Sequence, residues 1–290
     1  MKRCLACQAR FSGDAWVCPE CGSAPRQLNG FRAFSPGMAE ANAGFEAGYF
    51  SQLAPLEAGH FWFESRTRLV IWALSRYFPH ARSFLEIGCG TGFVLSAIRR
   101  AFPDWRLSGS EILNKGLSFA ASRLEGVELL QMDACDIPFD SEFDAIGVFD
   151  VLEHIERDDQ ALFQIARAVV PGGGVVLTVP QHPWLWSSVD EYSFHKRRYR
   201  RSNLVCKLHH AGFRIVRMTS FVSLLLPVML LSRRRTGTAE QLDPCAEFRI
   251  QPALNRMLQS LLSFERALIV AGASFPAGGS LMVVARRNDR

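Results

Sequence analysis

The sequence predicts an α/β protein, because short apolar strands alternate with helical segments through most of its length. The clearest unit is the stretch 85–95, where a short buried strand runs into a glycine-rich turn and then into a helix. Further strand-like segments follow at 105–111, 127–131, 143–149 and 175–179, with helical segments between several of them. This alternation favours a parallel sheet that is covered by helices.

The turn after the first strand carries three glycines at alternate positions, Gly88, Gly90 and Gly92, and Glu86 precedes them. Glycine lets the backbone fold tightly and lets a ligand approach with no Cβ in the way. The spacing differs from the G-x-G-x-x-G pattern that holds a dinucleotide pyrophosphate. A ligand without a pyrophosphate is therefore indicated.

This E-x-G-x-G-x-G pattern resembles motif I of class I S-adenosylmethionine-dependent methyltransferases. The second strand ends at Glu111, where a carboxylate can accept hydrogen bonds from both ribose hydroxyls. The third strand ends at Asp133, where members of the family place an acid against the adenine amino group. The resemblance implies a cofactor site for S-adenosylmethionine formed by Glu86, Gly88, Gly90, Gly92, Glu111, Asp133, Ala134 and Asp150.

The resemblance covers about residues 84–221 and a last strand at 280–285. It implies a doubly wound, Rossmann-like methyltransferase sheet of six parallel strands plus an antiparallel last strand. Nearly sixty residues stand where the family has a short hairpin, so a helical insertion is predicted at about 222–279. We expect three regions, namely a zinc ribbon at 1–28, a linker and lid at 29–60, and the methyltransferase domain at 61–290.

Four of the eight cysteines form two C-x-x-C pairs near the N-terminus. Four thiolates at this spacing can bind one Zn²⁺ tetrahedrally. A segment of about 25 residues buries too small a core to fold without such a metal ion. The segment resembles a rubredoxin-like zinc ribbon, and a redox motif is disfavoured because no βαβ pattern surrounds it. We predict a structural Zn²⁺ on Cys4, Cys7, Cys18 and Cys21. We expect the four other cysteines to be small core residues, namely Cys89, Cys135, Cys206 and Cys245.

Two histidines, His154 and His195, are candidates for a catalytic general base. Each belongs to a segment that follows a strand, at the edge of the sheet where open α/β folds bind ligands. Imidazole can take a proton from a hydroxyl near neutral pH, and His182 shares this property. Two alternatives stay open: His154 only shapes the pocket, and the basic run 196–201 is a solvated turn instead of a contact for an acidic substrate.

The aromatic segment 60–63, with Arg66 and Arg68, resembles the N-terminal lid that many small-molecule methyltransferases fold over the cofactor. The alternative is that these aromatic side chains only pack a helix against the sheet.

The composition is that of a globular protein, with 48% hydrophobic and 21% charged residues and a net charge of +5. No apolar leader follows Met1, and no run approaches the ~20 apolar residues that a spanning helix needs. We therefore expect a cytoplasmic protein. The apolar stretch 221–231 is followed by three arginines. Four interpretations of this segment stay open: a hairpin packed on the domain, a lid over an apolar pocket, contact with the inner membrane surface through 221–235, or a subunit contact. The oligomeric state stays open.

The pattern as a whole predicts methyl transfer from S-adenosylmethionine to a small molecule that is amphipathic or lipid-like. One alternative is a ribosomal-RNA methyltransferase, a family in which a zinc ribbon also precedes this fold. Nucleic acid is disfavoured as a partner because few basic residues surround the ribbon and the insertion is apolar. A second alternative is an interaction module without catalysis, but such a module has no physical need for Glu86, Glu111 and Asp133.

Overall fold

The computed structural model describes residues 1–39, 49–233 and 249–288. These residues form a nine-stranded sheet flanked by helices, preceded by a small two-stranded sheet. The strands are β1 (Lys2–Arg3), β2 (Arg10–Phe11), β3 (Arg26–Leu28), β4 (Phe31–Ala33), β5 (Ser83–Ile87), β6 (Arg106–Glu111), β7 (Glu128–Gln131), β8 (Phe143–Phe149), β9 (Val169–Pro180), β10 (Phe213–Phe221) and β11 (Ser280–Arg287). The helices are α1 (Tyr49–Glu57), α2 (Phe61–Tyr77), α3 (Phe93–Ala101), α4 (Asn114–Arg123), α5 (Asp158–Ala168), α6 (Ser188–Tyr192), α7 (Arg201–His210), α8 (Leu226–Arg233) and α9 (Pro252–Val270).

The strands of the large sheet lie in the order β10-β11-β9-β8-β5-β6-β7-β4-β3. The neighbours from β9 to β7 are parallel, and β11 is antiparallel to both β9 and β10. The predicted sheet of six parallel strands with an antiparallel last strand is confirmed. The strand order reverses between β8 and β5, which opens the crevice where such sheets bind ligands.

The N-terminal module, residues 1–39, is attached to this sheet directly. Strand β4 pairs in parallel with β7, and β3 pairs with β4. The fully buried Gln131 fixes the junction, because its side-chain amide accepts a hydrogen bond from the Ser35 backbone and donates to the Ser35 and Ile112 carbonyls. Strand β4 thus lies in the region expected to be a linker, and β3 lies at the end of the region expected to be the ribbon. These strands are short and polar, so no apolar alternation marked them in the sequence.

The core lies on both faces of the sheet as two hydrophobic clusters. Strand β9 begins at Val169, before the predicted segment 175–179, and therefore includes the three consecutive glycines 172–174. Close backbone contact explains one of them. A Cβ on Gly174 would lie 2.1 Å from the Ala285 carbonyl oxygen of the neighbouring strand.

The described part of the insertion consists of α8 and α9, and the residues between them lie outside the described ranges. Val222 and Leu225 are buried in the same cluster as Leu262 of α9, whereas Val228 and Leu231 are exposed. The apolar stretch is therefore core in its first half and surface in its second. Among the described helices, none combines the length and apolarity needed to cross a membrane.

Candidate active site

A cavity of about 660 Å³ opens at the carboxyl ends of β5, β6, β7 and β8. Its volume falls within the range of small-molecule sites. The glycine turn, the strand ends, α1, α2 and the segment after α6 line it, together with Met38 of the N-terminal module. No described residue of the insertion lines this cavity, so the predicted roof over an apolar pocket is absent from the described part of the chain.

All three glycines of the turn after β5 have left-handed backbone conformations, with φ of +68°, +51° and +75° for Gly88, Gly90 and Gly92. Two of them also lack room for a side chain. A Cβ on Gly88 would lie 2.4 Å from a methyl group of Val151, and one on Gly92 would lie 2.9 Å from the Cα of Ala120. The turn therefore requires glycine for its conformation and for its packing.

Glu111, at the end of β6, faces the cavity and holds the glycine turn in place. Its carboxylate accepts hydrogen bonds from the backbone N–H groups of Gly90, at 3.1 Å, and of Ile112, at 2.8 Å. Burial raises the pKa of Glu111. These hydrogen bonds lower the pKa, but by a smaller amount, so it stays above its ordinary value. Asp133 and Ala134 line the same cavity after β7, where the sequence predicts the adenine contact.

Glu86 and Asp150 form a second acidic pair beside the turn. Glu86 is 2% exposed, its Oε2 has no hydrogen-bond partner among the described groups, and burial raises its pKa to about 8. Asp150 forms an ion pair with Arg66 and accepts a 3.1 Å hydrogen bond from the Thr178 hydroxyl. The guanidinium of Arg66 also lies 4.4 Å from the ring of Trp62. The sequence placed Arg66 in a predicted lid and not among the cofactor-binding residues, whereas the structure pairs it with Asp150.

The N-terminal helices cover the glycine turn. Phe50 and Leu53 of α1 and Trp62 and Phe63 of α2 line the cavity. Glu57 ties α1 to the turn by accepting hydrogen bonds from Thr91, at 2.6 Å, and from Arg123, at 2.5 Å.

The other predicted lid residues behave differently. His60 caps α2, where its ring accepts a hydrogen bond from the Trp62 backbone N–H. Arg68 pairs with Glu64 at the surface. No motif distinguished Glu57 or Arg123 in the sequence, because their roles depend on contacts between distant segments.

Two histidines form another polar part of the cavity wall. His154 belongs to the 3-10 turn Leu152–His154 after β8, and its ring centroid lies 4.8 Å from that of His195. Both side chains line the cavity. Glu153, beside them, is 1% exposed, and burial raises its pKa well above the ordinary value. One potential ligand atom from each of the three side chains lies within 4.8 Å of the others.

A buried aspartate orients His195. Asp190 is fully buried and lies 2.9 Å from His195 Nδ1, and it accepts a 2.7 Å hydrogen bond from Arg198. Burial raises the pKa of Asp190, but the His195 hydrogen bond and the Arg198 charge outweigh it and lower the pKa to about 2. An ionised carboxylate only accepts hydrogen bonds, so His195 Nδ1 donates and Nε2 is left to react or to bind.

The remaining polar candidates contribute to structure. His182 stacks on Trp184, with ring centroids 4.6 Å apart, and does not line the cavity. In the basic run 196–201, Arg198 binds Asp190 and Arg197 binds Asp158 at 2.8 Å. The run therefore anchors the loop that carries His195, and only its first residue, Lys196, lines the cavity.

The four N-terminal cysteines converge at one point. Their sulfurs lie within 4.8 Å of one another, and both Cys4–Cys21 and Cys7–Cys18 have Sγ atoms 3.6 Å apart. Tetrahedral bonds of about 2.3 Å to one Zn²⁺ place sulfurs about 3.8 Å apart, so the four side chains fit this ion. Outside this cluster, the core prediction for thiols is met by Cys89 and Cys135, which are buried, but not by Cys206, which is exposed; Cys245 lies outside the described residues.

Comparison with known proteins gives a family for the central part of the chain. A family model described as a methyltransferase domain matches residues 85–177. A fatty-acid O-methyltransferase of Mycolicibacterium smegmatis is 35% identical over 97 residues, which is 32% of this chain and 35% of that protein. A tRNA (carboxymethyluridine(34)-5-O)-methyltransferase of Arabidopsis thaliana is 30% identical over 142 residues, 46% of this chain and 33% of that protein. The chain thus spans about a third of the length of each of these relatives.

Solved structures show the same fold. Phosphoethanolamine N-methyltransferase 2 of Haemonchus contortus, in complex with S-adenosyl-L-methionine, matches 79% of this chain and 53% of that chain with a TM-score of 0.51 at 21% identity. At this level of identity the likeness establishes the architecture. The family model and the relatives support a methyltransferase domain at residues 85–177, of the S-adenosylmethionine-dependent class predicted from the sequence.

Proposed function

We propose that the protein transfers the methyl group of S-adenosylmethionine to an oxygen of a small amphipathic molecule. The observation that carries this proposal is a single cavity with two chemically different ends. One end has the glycine turn with Glu111 and Asp133, and the other has His195 held by Asp190. Apolar and aromatic side chains also line this cavity, which suits an acceptor with an apolar part.

At the first end, Glu111 would accept hydrogen bonds from the ribose hydroxyls, and Asp133 with Ala134 would contact the adenine. Asp150 lies beside the glycine turn, where its carboxylate suits the cationic amino-acid part of the cofactor, and Glu86, which is protonated in the free protein, would ionise when that cation binds. The sulfonium is already an activated methyl donor. The protein therefore needs mainly to align donor and acceptor and to exclude water.

At the second end, His195 would act on an acceptor hydroxyl. Asp190 fixes the tautomer in which Nδ1 carries the proton, so Nε2 can accept one from the acceptor. This use of a buried carboxylate to orient a histidine is the arrangement found in hydrolytic triads. His154 lies against His195 and would shape the acceptor subsite.

The chemical nature of the acceptor is supported by similarity and by the surface. The fatty-acid O-methyltransferase relative acts, by its name, on a molecule of this class. Exposed apolar residues on the insertion, Val228 and Leu231 on α8 and Met257 and Phe264 on α9, suit reversible contact with a membrane surface from which such an acceptor could be drawn. The tRNA methyltransferase relative favours the RNA alternative instead.

The deciding experiment offers the purified protein S-adenosylmethionine labelled in its methyl group, with fatty acids and hydroxy fatty acids of different chain length in one set of reactions and total tRNA or ribosomal RNA in another. We expect label in the amphipathic acids, as an ether at the hydroxyl from which His195 would take a proton, and none in RNA. Label in RNA alone would overturn the proposal in favour of the alternative. Failure to bind the cofactor by calorimetry would support an interaction module without catalysis.

Membrane contact is tested separately with anionic and neutral vesicles. Substituting Val228 and Leu231 with serine should reduce sedimentation with anionic vesicles and leave the affinity for S-adenosylmethionine unchanged, because neither residue lines the cavity. Leu225 is unsuitable for this test because it is buried. Equal binding of wild type and variant to vesicles would exclude this surface as the contact.

For the N-terminal module we propose one structural Zn²⁺ on Cys4, Cys7, Cys18 and Cys21. Four protein thiolates leave no open position for catalysis. The module is packed on the methyltransferase domain, since Trp16 contacts Phe34 and Phe139 with ring centroids 4.8 and 5.4 Å away. Elemental analysis should find one zinc per chain in wild type and none in a Cys18→Ser variant. Zinc retained after this substitution would exclude the site.

A further inference from the structure

A second group of potential metal ligands lies at the wall of the cavity, and the proposed transfer reaction leaves much of it unexplained. It consists of Glu153 and His154, from the 3-10 turn after β8, and His195, from the loop after α6. One ligand atom of each lies within 4.8 Å of the other two. Two imidazoles and one carboxylate form a ligand set that suits divalent transition metals such as Mn²⁺, Fe²⁺ or Zn²⁺.

The surroundings of Glu153 indicate a bound cation. Its side chain is 1% exposed, and neither carboxylate oxygen has a hydrogen-bond partner in the part of the chain that the structure describes. A buried carboxyl group without partners is costly, so such groups are normally paired, hydrogen-bonded or bound to a metal. His154 and His195 each offer a potential ligand atom within 4.8 Å of one from Glu153.

His195 already has the second contact that metal-binding histidines commonly make. Such residues donate the ring nitrogen that does not bind the metal to a carboxylate or a carbonyl, which fixes the ring and raises its basicity. Here Nδ1 donates to Asp190, and Asp190 is itself held by Arg198, at 2.7 Å, and by the Ser187 backbone N–H, at 2.9 Å. The ring is therefore oriented before any ligand arrives.

We propose that Glu153, His154 and His195 bind one divalent transition-metal ion, and that this ion also binds an oxygen of the methyl acceptor. The second part rests on the proposed function. Three protein ligands leave coordination positions open toward the cavity, which His154 and His195 both line. His195 is then a ligand, and the ion takes over the role of lowering the pKa of the acceptor oxygen.

The transfer step balances as follows. An acceptor hydroxyl bound to the ion releases its proton to solvent. A lone pair of that oxygen forms the new O–CH₃ bond while the S–CH₃ bond breaks. The electron pair of the broken bond stays on sulfur, which changes from a sulfonium to a neutral thioether.

The test uses the full-length protein with its N-terminal zinc in place and Mn²⁺ alone as the probe. Carboxylate and imidazole ligands suit Mn²⁺, whereas a four-thiolate cluster selects softer ions, so the two sites are distinguished. Free Mn²⁺ is followed by electron paramagnetic resonance during a titration. We expect one Mn²⁺ per chain in wild type and at least tenfold weaker binding in Glu153→Gln and in His195→Gln.

The matched control is Asp159→Asn, which alters an exposed carboxylate on α5 that pairs only with Lys207 among the described groups. It should bind Mn²⁺ as wild type does. Calorimetric binding of S-adenosylmethionine to each variant shows that it is folded and reports on the cofactor end separately. No Mn²⁺ binding to wild type, or undiminished binding to Glu153→Gln, overturns the metal site even if the cofactor binds. Cofactor binding that fails while Mn²⁺ still binds overturns the proposed function and leaves the metal site standing.

Discussion

The two ends of the cavity are built by different means. At the cofactor end, most of the shape comes from backbone: three glycines in left-handed conformation and backbone N–H groups fixed by Glu111. At the acceptor end, the shape comes from side chains on two segments about 40 residues apart, one ending at His154 and one carrying Asp190 and His195. The cofactor end therefore depends on local conformation, and the acceptor end depends on how loops pack against one another. The following predictions test this division.

The largest effect is expected for Glu111→Ala at the cofactor end. The substitution removes the carboxylate that would accept two charge-assisted hydrogen bonds, each worth about 1.5–3 kcal/mol. It also removes the acceptor that holds the N–H of Gly90. The Kd for S-adenosylmethionine measured by calorimetry should rise roughly 10²- to 10⁴-fold. Glu125→Ala, an exposed acid after α4, is the control, and an equal loss in both would contradict the assignment.

Next in size is His195→Asn at the acceptor end. Loss of a general base or of a metal ligand should reduce turnover by about 10²-fold or more. The affinity for S-adenosylmethionine should stay within about twofold of wild type, because the two ends are formed by separate residues. Turnover is measured by methyl transfer to the acceptor identified above, with the exposed His209→Asn variant as control. Loss of cofactor binding would show that the ends are not independent.

A third prediction concerns the pH dependence of stability at the cofactor end. Folded Glu86 keeps its proton up to about pH 8, whereas an ordinary glutamate releases it near 4.5. The folded state thus binds more protons between these values, and this residue makes the free energy of unfolding fall as pH rises from 4.5 to 8. Glu86→Gln should remove this contribution.

Denaturant unfolding at several pH values measures the contribution of Glu86 to the free energy of unfolding. The variant should gain stability over wild type as pH rises, up to a few kcal/mol for a shift of this size, since one pKa unit corresponds to about 1.4 kcal/mol. An equal stability difference at pH 5 and pH 8 would mean that Glu86 is ionised in the folded protein.

The smallest effect separates two arginines of the same helix. Arg66 pairs with Asp150 in the cavity, whereas Arg68 pairs with Glu64 at the surface. Arg66→Ala should weaken cofactor binding by about tenfold, because it leaves the half-buried Asp150 without the cation that holds its carboxylate in place. Arg68→Ala should leave cofactor binding unchanged and alter stability by no more than about 0.5 kcal/mol. Similar cofactor affinity in both variants would remove Arg66 from the site.

The parts of the protein that the sequence predicted correctly are those encoded in short stretches of chain. The glycine turn needs left-handed backbone at fixed spacing, so Gly88, Gly90 and Gly92 mark it by residue type alone. Strands such as β8 and the helix α9 have apolar patterns that specify their own conformation. The cluster of four cysteines was likewise predictable, because each C-x-x-C spacing brings the two sulfurs of its pair close together.

Other features follow only from the tertiary structure. Strands β3 and β4 exist because β7 offers a free edge. The contact of His154 with His195 exists because the loop after α6 packs against the turn after β8, where the Lys196 backbone N–H donates to the Glu153 carbonyl. The same holds for the insertion, where burial of Leu225 and exposure of Leu231 follow from packing against the domain. The physical reason is that these contacts join segments far apart in the chain. The energies of these contacts depend on which surfaces of the folded protein meet, and a local pattern of residues does not specify this.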